Sequence, residues 1–513
     1  MRSGIRLAIA AGITALAAST GAFAQAPSTA GGGAQAAQLP LSGRGAQSGG
    51  ASVTEQPIPG ATTSVNTINP SVQVQGNYTG STSGAGRPFS GKLSLREAVD
   101  RGLAFNLGPK GISFAMQQAH GQTRVSRSNL MPNLNSSLSE TVVQNDLAAQ
   151  GLRISAPIPG FRFPTVVGPF NYFDLRARLS QTIADFAALN NYRSTQETFH
   201  ADEFLAKDAR DLVVLAVGGA YLQAVAAKAR VEAARSQVAT ANALYDQTNQ
   251  QRQAGLVARI DADRSQVQAL TQQQRMISLE NDFAKQKINL ARLTGLPPNS
   301  NYELSDDVPF SEAPPLGEED AVRQAFGQRS DLKAAEAQIR AADRTRTAAK
   351  AERLPSLGFN ADYGVIGTNP SQSHGTFSVV GTLRIPIWQG GRAEGDIEQA
   401  NAVLDQRRAE LEDLKSRVES DVRNAFLDLK AATSQVDLAQ KNLGVTQEAL
   451  TLTRQRFEAG ITDSLEVSQA ETTVASAQLD LINSVFAHNI AKLSLARAEG
   501  SAADSLARYL KVP

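Results

Sequence analysis

Few side chains in this sequence of 513 residues have the types and spacing that catalysis or metal binding requires. The histidines are dispersed along the chain and lack the spacing of metal ligands: His120, His200, His374 and His488. The sequence contains no phosphate-binding loop, no nucleophile elbow and no H-E-x-x-H zinc motif. These observations argue against an enzyme and predict neither a cofactor nor a metal site.

Charge and cysteine content restrict the partners and the sources of stability. Fifty basic and 49 acidic residues leave a net charge of +1 at pH 7, which argues against a nucleic-acid partner. The chain has no cysteine, so it forms no disulfide. Its stability must therefore come from packing or from assembly with other chains.

Two N-terminal segments are predicted to lie outside the fold. Residues 1–24 have a positively charged start, an apolar run and a small-x-small cleavage site, as a secretory signal peptide does. We expect no other segment of the chain to be long and apolar enough to cross a bilayer as a helix. Residues 25–91 are rich in Gly, Ser, Thr, Ala, Gln and Pro, which predicts a flexible leader that cannot supply a core.

Long helices are predicted to dominate the rest of the chain. Apolar residues from Val418 to Leu450 recur at alternating four- and three-residue steps, which is a heptad seam. The seam restarts after Gly460 and continues towards Gly500. The pattern predicts a helix from about Asp413, a glycine turn and a second helix. At about 1.5 Å rise per residue, the first helix would be roughly 65 to 70 Å long.

The sequence contains this helical hairpin twice. Gln253-Ala254-Gly255-Leu256 matches Glu458-Ala459-Gly460-Ile461, and 460 − 255 gives an offset of 205. Such a match over long helices indicates an internal duplication. The predicted segments are a first repeat, a connector, a second repeat and a C-terminal tail: 92–298, 299–317, 318–500 and 501–513.

Each repeat also contains a segment whose apolar residues alternate with polar ones. Met131-Pro132 and Leu354-Pro355 occupy matching positions at an offset of 355 − 132 = 223, and the hydrophobic period changes from helical to two after each. We therefore predict two β-hairpins, at about 133–184 and about 356–388. One face of these strands is apolar and the other is strongly polar.

The apolar strand faces need a covering that the helices do not provide. In a soluble protein, such strands usually pack their apolar face on the core and expose their polar face to water. This chain, however, carries an export signal, and apart from the long helices it has few residues that could cover the apolar faces. Strands in a bilayer must close into a barrel, since no water satisfies an open edge. Four strands are too few, so several chains must share one barrel. Trp388, Tyr172 and Phe173 near strand ends would suit an interfacial girdle.

The duplicated plan resembles the TolC family of outer-membrane efflux factors. Three stretches carry the resemblance, together with the signal peptide and the placement of the strands: Leu93–Ala98, Arg329–Glu336 and Arg456–Gly460. The resemblance covers about Leu93 to Gly500. It implies an α+β membrane protein, in which a protomer of duplicated helix, β-hairpin and long helical hairpin forms a homotrimer.

A twelve-stranded barrel in the outer membrane, continued by a helical barrel in the periplasm, is the architecture that the resemblance implies. The expected function is a passive channel in a tripartite efflux or type I secretion system. The expected partners are outer-membrane lipid, a periplasmic adaptor protein and an inner-membrane transporter of the RND or ABC class. The sequence does not identify the transported substrate.

The two glycine turns have a role in this family as the periplasmic tips where adaptors dock. By position, Gly255 and Leu256 would do so in the first repeat, and Gly460 and Ile461 in the second. The alternative is that each glycine only permits a tight reversal between helices. Both interpretations stay open, because the reversal is needed in either case.

Acidic residues beyond the second turn narrow the tube in family members. Glu466 stands where the first acidic residue belongs, whereas Gln469 occupies the second acidic position of the constriction, where this sequence departs from the family pattern. Asp463 could contribute, and Asp261 is the counterpart of Glu466 in the first repeat. A ring of carboxylates in a narrow pore favours cations. Alternatively, Asp463 and Glu466 form a capping box for the last helix.

A coiled-coil scaffold without a channel is the competing class of protein. The heptads suit it equally well, but a scaffold has no use for two hairpins with apolar outer faces. The strands therefore favour the channel.

Overall fold

The structure is a computed structural model that describes five segments of the chain: 51–55, 70–82, 89–151, 164–312 and 317–510. The predicted signal peptide, 1–24, lies outside the described residues. In chain order the helices are α1 (Leu95–Phe105), α2 (Leu107–Ser128), α3 (Phe186–Gln253), α4 (Arg259–Thr294), α5 (Glu318–Gln328), α6 (Ser330–Ala351), α7 (Arg392–Glu458), α8 (Ser464–Ala498) and α9 (Ala502–Leu510). The strands are β1 (Ala51–Glu55), β2 (Pro70–Val74), β3 (Gly91–Leu93), β4 (Asn133–Asp146), β5 (Val166–Ala184), β6 (Tyr302–Leu304), β7 (Ser356–Gly367) and β8 (His374–Arg384).

The helical hairpins α3–α4 and α7–α8 are the longest elements. α3 has 68 residues and α7 has 67, so each is about 100 Å long. The predicted seam of α7 is buried from Val418 to Ala439. The expected start near Asp413 is wrong, because α7 already begins at Arg392. Between Arg392 and Asp413, the buried residues of α7 are Ala393, Ala400, Leu404 and Leu411. They are more widely spaced than the apolar residues from Val418 onwards, on which the prediction was based.

One stretch of α3 meets the composition of a membrane-crossing helix, which corrects the expectation that only the signal sequence could. Within Phe186–Gln253, an 18-residue window has a mean hydropathy of 1.6, and 72% of it is buried inside the protein. Its residues belong to the main apolar cluster together with α1, α4 and α8. Length and composition alone are weak evidence for a span, and the burial is that of a core helix.

The short helices of the first repeat are divided by a cap and not by a glycine-proline pair. α1 ends at Phe105, and α2 includes both Gly108 and Pro109. The Asn106 side chain accepts a hydrogen bond from the Gly108 amide at 2.8 Å and caps α2. Proline is tolerated in a first helical turn, where its missing N–H would have no helical partner. At the start of α1, the Glu97 amide donates to Ser94 Oγ at 3.1 Å, so Ser94 caps this helix.

The two hairpins join into one antiparallel sheet with the order β4-β5-β7-β8. β5 pairs with β7, so the repeats meet at the centre of the sheet. Within the described residues, β4 pairs only with β5, and β8 pairs only with β7. The second hairpin is shorter than predicted, because β8 ends at Arg384 and not near Trp388.

Part of the predicted flexible leader, 25–91, is ordered, and that prediction is wrong for these residues. β1 and β2 form an antiparallel hairpin, and the side chain of Tyr78 is 5% exposed within the apolar core. A Cβ on Gly108 would lie 2.4 Å from the Tyr78 ring, and one on Gly219 would lie 2.3 Å from Val72. Val72 and Tyr78 can pack against the helices because the helices carry glycine at these contacts. The composition of the leader itself gives no sign of this packing.

The predicted connector and tail also contain regular structure. β6, within 299–317, pairs in parallel with β3 at the start of the first repeat. α9, within 501–513, buries Tyr509, whose hydroxyl donates to Glu499 at 2.7 Å. Both elements are short, so their sequences carry too few periods to predict them.

The Arg329 stretch of the second repeat forms a buried ionic junction. Arg329 is 5% exposed and donates to Asp331 at 2.7 Å and to Asp421 on α7 at 3.0 Å. Burial alone would raise the pKa of Asp331, but the hydrogen bonds and charge of Arg329 lower it below its ordinary value. The resulting contribution to stability is present above the unfolded-state pKa of Asp331 and is lost as the pH falls through its folded-state pKa.

Candidate functional site

The four-stranded sheet has an apolar face that nothing in the described part of the chain covers. Residues directly opposite one another on paired strands share a face. By the strand register, one face collects large apolar side chains from all four strands: Leu134, Leu138, Val142, Leu175, Leu179, Tyr363, Val365, Phe377, Val379 and Leu383. Leu134 and Leu138 are 71% exposed and Phe377 is 76% exposed. Such a continuous exposed apolar surface is not that of a soluble monomer.

The opposite face of the sheet is polar and internally paired. Arg176 of β5 forms an ion pair with Asp174 at 3.2 Å and with Asp362 of β7. It also donates to the Thr376 hydroxyl of β8 at 3.1 Å. Hydrogen bonds on this face therefore connect three of the four strands, which is the arrangement of a water-facing surface.

The apolar surface continues beyond the last strand. Ile385 and Ile387 follow β8 with the same alternation as Val379 and Leu383, and Ile387 is 95% exposed. Trp388, the single tryptophan of the chain, is 88% exposed in the connection to α7. Of the other aromatic residues predicted for a girdle, Phe173 lies opposite Glu140 and Tyr172 lies opposite Thr141, so they point to different faces.

The tips of the two long hairpins have the same backbone geometry. Gly255 and Gly460 have φ angles of 74° and 71°, in the left-handed region that favours glycine. The Leu256 amide donates to the Gln251 carbonyl at 2.8 Å, and the Ile461 amide donates to the Arg456 carbonyl at 2.9 Å. These bonds close both helices in the Schellman manner, so the tight reversal expected at each glycine is present.

Each tip exposes two aliphatic side chains. Leu256 is 75% exposed and Ile461 is 69% exposed, at the positions singled out from the sequence. Ile260 and Leu465, at 56% and 45%, lie in the next helical turn and were missed. The sequence could have indicated them, because the offset that relates the two helical hairpins, 465 − 260 = 205, pairs these two apolar residues.

The acidic residues near the second tip take part in capping and ion pairing. Asp463 Oδ1 accepts from the Glu466 amide at 3.1 Å, so Asp463 caps α8. The Glu466 carboxylate accepts from Arg456 at 3.0 Å and from the Thr462 hydroxyl. The structure thus brings Asp463 and Glu466 together and adds a cation, Arg456, that the sequence reasoning did not pair with them.

The other two predicted constriction residues lie apart from this cluster of contacts. Gln469 is exposed on α8, one turn beyond Glu466. Asp261 lies in the first turn of α4, and its carboxylate is 3.8 Å from the Arg264 guanidinium. The first tip therefore also pairs its acidic residue with an arginine.

A polar cavity of about 240 Å³ lies between the helical hairpins α3–α4 and α7–α8, between the main apolar cluster and the tips. Its wall includes Gln272, whose side-chain oxygen is buried without a hydrogen-bond partner, and an ion pair of 2.8 Å between Arg454 and Glu471. Across the two helical hairpins, Gln237 donates to Gln478 at 3.3 Å and Gln268 donates to Thr472 at 3.3 Å. The helical hairpins are therefore joined here by polar contacts, whereas the main apolar cluster joins them nearer the short helices.

Comparisons with known proteins identify relatives of the whole arrangement. The family model described as outer membrane efflux protein matches residues 112–296 and 321–501. Outer membrane protein OprJ of Pseudomonas aeruginosa is 23% identical over 82% of this chain and 86% of OprJ. Alkaline protease secretion protein AprF of the same organism is 24% identical over 59% of this chain and 64% of AprF.

A solved structure confirms the expected fold class. The crystal structure of the Campylobacter jejuni CmeC outer membrane channel matches with a TM-score of 0.69 at 18% identity. The match covers 80% of this chain and 86% of CmeC. The two chains share a fold.

Proposed function

Because the chain belongs to the outer membrane efflux protein family, we propose that it is the channel component of a tripartite efflux or type I secretion system. It resides in the outer membrane. The observation that carries the proposal is the four-stranded sheet, which has one uncovered apolar face and two open edges within the described residues. Lipid covers the apolar face, and the polar face lines a water-filled lumen.

Three copies close the barrel. β4 and β8 are the open edges of the sheet in the described part of one chain, and unpaired strand edges are not tolerated in a bilayer. Pairing β8 of one copy with β4 of the next gives a closed sheet of twelve strands in a homotrimer. The long helices of the three copies continue this barrel into the periplasm.

The tips dock the partners. Leu256, Ile260, Ile461 and Leu465 give each chain two small aliphatic surfaces at the end of the helical hairpins. A periplasmic adaptor buries these surfaces and connects the channel to an inner-membrane transporter of the RND or ABC class. The fully buried core of a protein interface is more apolar than its rim, and the aliphatic side chains at the tips can supply such a core.

A scaffold without a channel would need neither the apolar sheet face nor the polar one opposite it. Purified protein in a planar lipid bilayer should therefore give discrete conductance steps. These steps should need no energy source, because transport through the channel is passive. A protein that inserts but never conducts would contradict the proposal and favour the scaffold.

In our proposal Glu466 lines the periplasmic constriction, whereas Asp463 caps α8, and two single variants separate these roles. Asp463→Ala should cost about 0.5 to 2 kcal/mol of stability, as the loss of a helix cap does, with ion selectivity unchanged. Glu466→Ala should weaken cation preference, because it removes a carboxylate and leaves Arg456 unpaired. Reversal potentials in a salt gradient and thermal unfolding measure the two effects.

Asp261→Ala is the matched control for this pair of variants. Asp261 occupies the position of Glu466 in the first repeat, since 466 − 261 = 205 is the offset between the hairpins. Its removal should change selectivity less, since the first tip carries more basic residues. Selectivity that stays the same in Glu466→Ala would contradict the constriction and leave a purely structural role.

A further inference from the structure

A basic pocket lies between α2 and α3 in the first repeat. Its volume is about 370 Å³, and six of its lining side chains define it here: His120, Arg124, Arg127, Tyr192, Phe199 and His200. The Phe199 ring lies 5.7 Å from the His120 ring and 6.0 Å from the His200 ring, measured between centroids. The proposed channel function does not use any of these residues.

The basic pocket has an excess of positive charge. Among the described residues no carboxylate lines it, and a neighbouring acid, Glu203, is bound to His200 at 2.9 Å. Within the described part of the chain, Arg124 and Arg127 form no ion pair. They stand three positions apart and therefore lie on the same side of α2. Two neighbouring guanidinium groups with planar sets of N–H donors are well suited to a phosphate group.

The pocket lies beside the membrane-facing part of the fold. Arg127 precedes the first residue of β4, Asn133, by six positions, and Tyr192 follows the first residue of α3 by six, or about 9 Å of helix. The headgroup layer on each side of a bilayer is roughly 5 to 8 Å thick. Long arginine side chains can span the remaining distance. Exposed Met131 and Phe186 lie on the strand side of the pocket.

The second repeat shows that the fold does not require this chemistry. At the offset that relates α2 to α6, Asp343 replaces His120 and Thr347 replaces Arg124. At the offset that relates α3 to α7, Asp405 replaces His200. Asp343 is neutralised by Arg346 at 2.6 Å. The same backbone therefore carries a basic pocket in one repeat and paired charges in the other.

We propose that the basic pocket binds the phosphate group of an anionic phospholipid in the periplasmic leaflet of the outer membrane. The inference rests on the outer-membrane position of the sheet. The two arginines bind the phosphate, while Tyr192, the aromatic ring of the pocket nearest the strands, packs against the glycerol and the first acyl carbons. A lipid bound in this way fixes the depth at which the helices meet the bilayer.

Retention of phosphatidylglycerol by the full chain in detergent tests the proposal. Native mass spectrometry over a series of lipid concentrations would compare the unaltered protein with the double variant Arg124→Gln, Arg127→Gln. We expect about tenfold weaker retention for each arginine replaced, as for hydrogen bonds to charged groups. Lys350→Gln is the matched control, because Lys350 stands at the position of Arg127 in the second repeat, 350 − 223 = 127.

Equal retention by the unaltered protein and the double variant would overturn the proposal. Binding of soluble glycerol phosphate without retention of the lipid would also overturn it, since the anion would then not come from the membrane. The channel function is tested separately on the same samples by conductance. If the double variant conducts normally and retains as much lipid as the unaltered protein, the lipid site is contradicted while the channel function stands.

Discussion

Replacing Phe377 with arginine is expected to prevent stable assembly of the protein in the outer membrane. Phe377 is 76% exposed on the apolar face of β8 and lies opposite Tyr363 of β7. An arginine facing lipid costs about 2 to 4 kcal/mol at the bilayer midplane and less towards the interfaces. The cost recurs in every copy of the oligomer. Outer-membrane fractionation followed by electrophoresis without heating would measure the loss of assembled protein.

The neighbouring residue supplies the control for this substitution. Ser378 lies on the same strand but on the polar face, opposite Asp362. Ser378→Arg adds the same charge and bulk on the water-facing side, so assembly should be retained. If Phe377→Arg assembled as well as Ser378→Arg, the apolar face would not contact lipid, and our assignment of the two faces would be wrong.

Replacing Leu256 and Ile461 together with aspartate is expected to abolish export. Both side chains are more than two-thirds exposed at the helical tips, so the substitutions should leave the fold of the chain intact. Two carboxylates buried at the centre of an adaptor contact have no partner, and such a change typically costs several kcal/mol of binding. Export should be measured in cells for which this chain is the only outer-membrane channel.

A conservative pair of substitutions controls for the geometry of the tips. Leu256→Met with Ile461→Val keeps both surfaces apolar, so export should remain close to normal. The aspartate variant should still conduct in a planar bilayer, because the pore does not depend on docking. Normal export by the aspartate variant would show that the adaptor binds elsewhere on the helices.

The repeated features of the fold could be predicted from the sequence. Gly255 and Gly460 were identified because a glycine between two heptad seams occurs twice at one offset. The strands were identified because polar and apolar residues alternate after Pro132 and Pro355. In both cases, a local rule and the duplication supported the same interpretation.

Features that depend on a single distant contact could not be predicted. Tyr78 lies in a stretch of leader-like composition, and only the glycine at position 108 on α2 makes room for its ring. The first turns of α7 were missed because Ala400 and Leu404 contribute a sparse seam among charged residues. Near the second tip, the sequence suggested that Asp463 could cap α8, as it does, but it did not reveal the ion pair of Glu466 with Arg456.

The mass of the protein component in detergent is the most direct test of the central claim, that several chains share one barrel. One chain supplies four strands whose outer edges, β4 and β8, lack partners within the described residues. Light scattering combined with absorbance and refractive index separates the mass of protein from that of detergent. Our account predicts a particle of three chains. A monomeric protein mass, with the helices and strands intact by circular dichroism, would contradict it.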